Sequence, residues 1–278
     1  MTELSAWVQA LILGIVQGLT EFLPVSSSGH LVLFQEWMGD NFFAEDQPLL
    51  FVLALHVGTL LPVLWFYRDS LRAVAASPWD GPGPSGRGGL AAWLMEHPAR
   101  RMGALVLLGT VPTGLIGVVF KDHFETLFSD PRRVGFALLV TGVLLLATRG
   151  RDGEGDDASL TVWTALIIGT AQGLAITPGI SRSGTTIAVA LFLGLNRELA
   201  ARYSFLLSIP AICGAVVLEL KDGIDLHADW GAVGVGFVSS MLVGYAALVM
   251  LVALVKRGGL HHFTWYLWPV GIAALLLM

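Results

Sequence analysis

The chain has 278 residues, of which 55% are hydrophobic and only 13% charged, about half the charged share of an ordinary soluble domain. So few charges cannot cover a water-exposed surface, and a mean hydropathy of +0.72 marks an integral membrane protein. Sixteen Lys and Arg against 21 Asp and Glu give a net charge of −5, which excludes an electrostatic nucleic-acid binder, and the lone Cys213 excludes an internal disulfide or a cysteine-rich metal site.

The first apolar run, Ala6–Leu23, lies in an N-terminus that carries Glu3 and no Lys or Arg up to Gln17, so it lacks the positive start of a secretory signal and reads as mature structure. It breaks at Pro24 and a Ser-Ser-Ser-Gly loop. The apolar piece beyond, Leu31–Met38, is too short to cross about 30 Å of hydrocarbon at ~1.5 Å per residue. Leu49–Tyr67, Met102–Phe120 and Val134–Thr148 follow as spans, with Ser77–Gly89 a flexible Pro/Gly-rich loop and Leu90–His97 a short interfacial helix. Leu160–Ile176 then repeats the opening: it runs into Thr-Pro-Gly and resumes as the short Thr185–Leu195. Tyr203–Leu220, Trp230–Val255 and Phe263–Met278 complete the set, with Pro62, Pro112, Pro210 and Pro269 as kinks and the tryptophans as interface belts. The predicted fold class is an all-α polytopic membrane protein with six transmembrane helices and two re-entrant helix-loop-helix hairpins, whose broken backbone must be buried in protein or line a wet cavity.

The hairpins resemble each other. Gly14-Ile-Val-Gln17-Gly-Leu19 returns 155 positions on as Gly169-Thr-Ala-Gln172-Gly-Leu174, and the same step joins Gly29 to Gly184. Each hairpin precedes three spans, an odd number, so the copies insert upside down relative to each other, an inverted-topology repeat with its site where the hairpins meet. Residues 1–278 then form a single membrane domain, with repeat 1 at about 1–150 and repeat 2 at about 158–278. With both termini outside, the inner loops hold Arg68, Arg72, Arg87, Arg100, Arg101, Arg149, Arg151, Arg197, Arg202, Lys256 and Arg257, and the outer loops only Lys121, Arg132, Arg133 and Lys221. That bias sets the orientation.

Ionisable groups at membrane depth are costly and mark function. Gln17 and Glu21, four apart, share a helix face; Ser26, Ser27, Ser28, Gly29 and His30 follow the break at Pro24. The second loop is Pro178-Gly-Ile-Ser181-Arg182-Ser183-Gly184-Thr185-Thr186. Each loop opens a half-helix whose free amides and positive dipole end favour anions, and Arg182 with the hydroxyls of Ser181, Ser183, Thr185 and Thr186 completes a polyanion cradle. In the first loop a carboxylate, hydroxyls and an imidazole can act as metal ligand or base, nucleophile and proton-transfer group. One carboxylate suffices for Mg²⁺, which keeps several waters and takes phosphate oxygens as ligands. The bland alternatives are a Ser/Gly packing device, a snorkelling Glu21 and an Arg182 that only anchors orientation. His56 reads as a packing histidine.

Gln17-Gly-Leu-Thr-Glu21-Phe-Leu-Pro-Val-Ser-Ser-Ser-Gly-His30 and Pro178-Gly-Ile-Ser-Arg-Ser-Gly184 closely resemble the undecaprenyl-diphosphate phosphatase family of the bacitracin-resistance type, as do Gly109-Thr-Val-Pro-Thr and Phe205-Leu-Leu-Ser-Ile-Pro210. The resemblance implies a hydrolase of the bacterial cytoplasmic (inner) membrane that removes the terminal phosphate of a C55 isoprenoid diphosphate, recycling the lipid carrier for peptidoglycan. It also implies a divalent cation, Mg²⁺ or Ca²⁺, and an active site facing the periplasm or exterior. Glu21, Ser27, His30, Ser181, Arg182 and Thr186 match positions the family uses; position 17, Glu in many relatives, is Gln here, which leaves Glu21 as the sole acidic metal contact.

The mechanism expected on these grounds has Arg182, Ser181, Thr186 and backbone amides holding phosphate, Ser27 as nucleophile and His30 as its base, with attack by His30 or by water left open. Gln17, Ser26 and Ser183 are further substrate contacts. The rival class is a transporter or flippase of a phosphorylated polyprenyl lipid, since broken helices in inverted repeats also serve carriers; a carrier needs the cradle but no nucleophile. A homodimer is compatible with either reading.

Overall fold

A computed structural model describes residues 5–38, 49–80, 89–128, 130–221 and 229–278. Thirteen α-helices run in order among them: α1 (Ala6–Phe22), α2 (Ser27–Met38), α3 (Leu49–Phe66), α4 (Arg68–Ala76), α5 (Gly89–Glu96), α6 (Pro98–Val119), α7 (Lys121–Phe128), α8 (Pro131–Leu146), α9 (Val162–Leu174), α10 (Arg182–Phe192), α11 (Arg197–Lys221), α12 (Trp230–Lys256) and α13 (Thr264–Leu277). Four are long and apolar enough to cross a membrane: α6, α11, α12 and the Leu260–Leu277 segment that ends in α13. A fifth candidate is α3 with α4, bent by 74° at Tyr67. The sixth expected span is α8, whose 16 residues reach only about 24 Å at 1.5 Å per residue. The two expected hairpins appear as α1–α2 and α9–α10, each broken by a short turn.

Local chemistry sets these boundaries. Leu23, pinned ahead of Pro24, is extended (ψ 143°) and ends α1. Asp130 caps α8 by accepting the Arg132 and Arg133 amides ahead of Pro131, and Thr161 and Asp229 cap α9 and α12 in the same way. The four span prolines lie inside α3, α6, α11 and α13. The short helix expected near residue 90 is α5, tied to α6 by Arg100, which donates to the Trp93 carbonyl at 2.8 Å and lies over its ring. The Pro/Gly-rich stretch from 81 to 88 lies outside the described residues.

Packing is exchanged between the halves. α1 seats most extensively on α12, and α9 on α6; α8 pairs with α13, and α3 with α12. Small residues permit the closest approaches: a Cβ at Gly14 would stand 1.9 Å from Ser239 Oγ, and one at Gly169 would stand 1.9 Å from the Gly109 carbonyl oxygen. At the centre, α11 buries Tyr203, Phe205 and Leu207 completely, and Tyr203 donates to the Leu105 carbonyl at 2.8 Å. The outside is apolar. Leu107, Val111, Leu115 and Val118 of α6 are more than half exposed on one helical face, as a lipid-facing stripe requires.

One end of the bundle gathers the basic residues. Arg101 donates to the Ala158 and Leu160 carbonyls at 2.6 and 2.7 Å, Arg197 pairs with Asp152 at 3.0 Å, Arg202 pairs with Asp157, and Lys256 pairs with Glu198 at 3.2 Å. The segment between α8 and α9 is therefore clamped to the starts of α6 and α11.

Candidate active site

The two hairpin turns touch each other. After Pro24 the chain passes through Ser26 at φ 70°, a left-handed conformation rarely adopted by a residue with a side chain, and α2 begins. In the second turn Gly179 has φ 93°, and Ser181 caps α10 by accepting the Gly184 amide at 3.1 Å. The Gly179 amide donates to Ser26 Oγ at 3.0 Å. A Cβ at Gly29 would stand 2.9 Å from the Gly179 backbone, so no larger residue fits between the turns. Thr141 of α8 holds the second turn from behind, donating to the Gly179 carbonyl at 2.9 Å and accepting the Ser181 amide at 3.2 Å.

A cavity of about 40 Å³ lies between the turns, walled by Thr20, Glu21, Ser26, Ser27, Ser28, Ala175, Ile180, Ser181 and Arg182. First-turn residues of both α2 and α10 face it, and helix first turns carry amides with no partner within the helix. Arg182 Nη2 meets Glu21 Oε1 at 2.6 Å; Glu21 Oε2 accepts Ser27 Oγ at 2.8 Å and Gln17 Nε2 at 3.1 Å. The carboxylate side chain is 9% exposed and the guanidinium 18%, so each charge depends on the other for its compensation. Arg182 Nη1 is buried without a partner, a spare charged donor that suits an anionic ligand.

The expected site residues divide into four groups. Glu21, Ser27, Ser26, Ser181 and Arg182 meet at the cavity. Gln17 is fully buried behind Glu21 and orients its carboxylate. Ser183 bonds to Ser181 Oγ and the Leu23 carbonyl; Thr186 bonds to the Arg182 and Ser183 carbonyls and to Ser204. The hydroxyls of Ser183 and Thr186 are thus turned into the protein, and Ser26 Oγ serves the Gly29 and Gly179 amides. His30 does not meet Ser27. Its Nδ1 lies 2.8 Å from the Ser26 carbonyl oxygen and its Nε2 2.7 Å from Tyr266 Oη, because the carbonyl one turn back captures the ring. Thr141 and Tyr266 enter the picture only in the structure; Thr141, a hydroxyl inside an apolar run, is the one with a visible signal.

Glu21 is the one carboxylate in the cavity wall, and the described residues contain no group of three His, Cys, Asp or Glu that could share a metal. The Glu21 carboxylate and the Ser27 hydroxyl form a hard-oxygen pair at the cavity, whereas Gln17 meets the carboxylate through its amide nitrogen. The pair fits Mg²⁺ or Ca²⁺ where water and a ligand's phosphate oxygens fill the remaining positions.

A family model described as bacitracin resistance protein BacA matches residues 10–273. A protein of Desulfatibacillum aliphaticivorans named undecaprenyl-diphosphatase is 47% identical over 275 residues, covering 97% of this chain and 98% of that protein. Its namesake in Carboxydothermus hydrogenoformans is 44% identical over 275 residues, covering 97% and 96%, and that of Methanobrevibacter smithii is 41% identical over 273 residues, covering 97% and 96%.

Proposed function

The chain belongs to the bacitracin resistance protein BacA family, and on that footing we propose that it hydrolyses undecaprenyl diphosphate to undecaprenyl phosphate and inorganic phosphate, recycling a lipid carrier of cell-wall synthesis. The observation that carries the reading is the junction of Ser27, Glu21 and Arg182. A nucleophile, its proton acceptor and a phosphate-binding cation arrive from two separate hairpins at one cavity.

The phosphates enter the cavity between the turns, and Arg182 exchanges Glu21 for their oxygens, helped by the free amides of α2 and α10. Ser27 Oγ attacks the terminal phosphorus while its proton passes to Glu21 Oε2; the anhydride P–O bond breaks and undecaprenyl phosphate leaves with the electron pair. Water then attacks phospho-Ser27, His30 Nε2 takes the water proton, the serine oxygen recovers its own from Glu21 as inorganic phosphate departs, and the imidazolium gives its proton up to solvent. A divalent cation would be held by the Glu21 carboxylate and would supply charge neutralisation on the diphosphate.

The wider arrangement belongs to the same proposal. Six spans and two re-entrant hairpins form an inverted repeat, residues 1–150 and 158–278, within one membrane domain. Its support is the exchanged packing, α1 on α12 and α9 on α6, and paired close approaches at the turns: Gly29 against Gly179, and Gly184 against Pro24, all related by the 155-residue step. Both termini and the active site face outward from the cytoplasmic membrane, supported by the basic residues clamped around the segment between α8 and α9. Self-association as a homodimer is compatible with this arrangement, and light scattering in detergent decides it.

The test is phosphate release from a C55 isoprenoid diphosphate by purified protein in detergent, where no sealed membrane exists for transport. Release that needs Mg²⁺ or Ca²⁺, stops with EDTA and is lost in Ser27→Ala, Glu21→Ala and Arg182→Ala is expected. Near-normal release by Ser27→Ala would move the nucleophile to His30 or water. No release from folded wild-type protein would refute the phosphatase reading and leave the carrier.

A further inference from the structure

His30 is held by a helix that belongs to neither hairpin. The Ser26 carbonyl beside Nδ1 can only accept, so the neutral ring carries its proton on Nδ1 and leaves Nε2 as a bare acceptor. Tyr266 of α13 donates its hydroxyl to that Nε2 at 2.7 Å, and the two rings lie parallel, 10° apart in plane with centroids separated by 5.6 Å. The base of α13 is fixed in turn: Thr264 Oγ1 donates to the Gly142 carbonyl of α8 at 2.9 Å, and α8 grips the second hairpin turn through Thr141. One helix pair therefore sets both the imidazole of the first hairpin and the turn that precedes Arg182. Tyr266 is 46% exposed, so its ring is not locked by packing and the contact with Nε2 is its most specific one.

We propose that Tyr266 is a positioning residue for His30 in this reaction, which rests on the phosphatase reading above. Its hydroxyl keeps the imidazole plane and the Nε2 lone pair in register with the hairpin turn and reserves that lone pair until the hydrolytic water takes the phenol's place. No bond to Tyr266 is made or broken.

Tyr266→Phe tests this, because it keeps the ring stack and removes only the hydroxyl. Two readouts apply: steady-state hydrolysis of C55 isoprenoid diphosphate in detergent, and the ¹⁵N resonance of His30 Nε2 in ring-labelled protein in lipid bilayers, assigned with His30→Gln. The expected result is a kcat lower by about tenfold, a fraction of what a placed acid–base group supplies, with KM unchanged and the Nε2 resonance moved towards that of a free acceptor. Tyr266→Leu, which loses the stack as well, falls further. Wild-type turnover in Tyr266→Phe would overturn the proposal, and so would an unchanged Nε2 resonance, whatever the turnover. If the wild-type protein releases no phosphate, the phosphatase reading and the catalytic role fall together, although a moved resonance would still establish the contact.

Discussion

Ser26 combines strain with cross-linking. Its left-handed backbone costs about 1–2 kcal/mol in a residue with a Cβ, and its hydroxyl recovers this by accepting the Gly29 and Gly179 amides and so joining the two hairpins. Ser26→Ala keeps the strain and strands two buried amides, so thermal unfolding in detergent should show a loss of about 1–3 kcal/mol; Ser26→Gly relieves the backbone and should lose less. The opposite ranking would mean that the left-handed backbone carries no strain, and no loss in either variant would mean that the hydroxyl bridge contributes nothing. Glu21 and Arg182 permit a sharper separation of roles. Arg182→Ala leaves a buried carboxylate uncompensated and should cost about 3–5 kcal/mol of stability. The double variant Glu21→Gln/Arg182→Ala should regain most of that stability and none of the phosphate release. Recovery of both would reduce the pair to a structural ion pair.

At the scale of helices, close approach decides stability. Gly169→Ala puts a Cβ 1.9 Å from the Gly109 carbonyl, so α6 and α9 must separate, at a cost of about 1–3 kcal/mol. Gly114→Ala on the same α6 meets nothing within 4 Å and should unfold at the wild-type temperature or above it, since Ala favours helix over Gly. The hairpins were legible in the sequence because Pro24 and Pro178 interrupt apolar runs too short to span, and that interruption leaves a mark in one dimension. Helices α4 and α7 were not. Each has only eight or nine residues with a polar face, and such segments carry no hydropathy signal. Within the site, Glu21, Ser27 and Arg182 stood out as polar residues in an apolar context. The turning of His30 away from Ser27 depends on the Ser26 carbonyl and on Tyr266, a partner 236 positions along the chain, and no local pattern encodes that.

The molecule as a whole has a sidedness that single-cysteine labelling can read. Cys213 is exposed and is the chain's one cysteine, so Cys213→Ser supplies a clean background. In intact cells an impermeant maleimide should label Glu125→Cys, on the charged helix α7, and should reach Glu154→Cys, in the clamped segment, only after the membrane is opened. The reverse pattern would invert the orientation and put the cavity's opening on the other face. The exchanged seating of α1 on α12 and α9 on α6 also bears on synthesis. α1 leaves the ribosome well before α12, so the surface that Gly14 packs against is not yet made when α1 enters the membrane. Meanwhile the nascent first half carries Glu21 into the lipid without Arg182, which is translated only later. Insertion must therefore hold that first hairpin in a provisional position, and the Glu21 carboxylate reaches its final setting only as the later helices thread in.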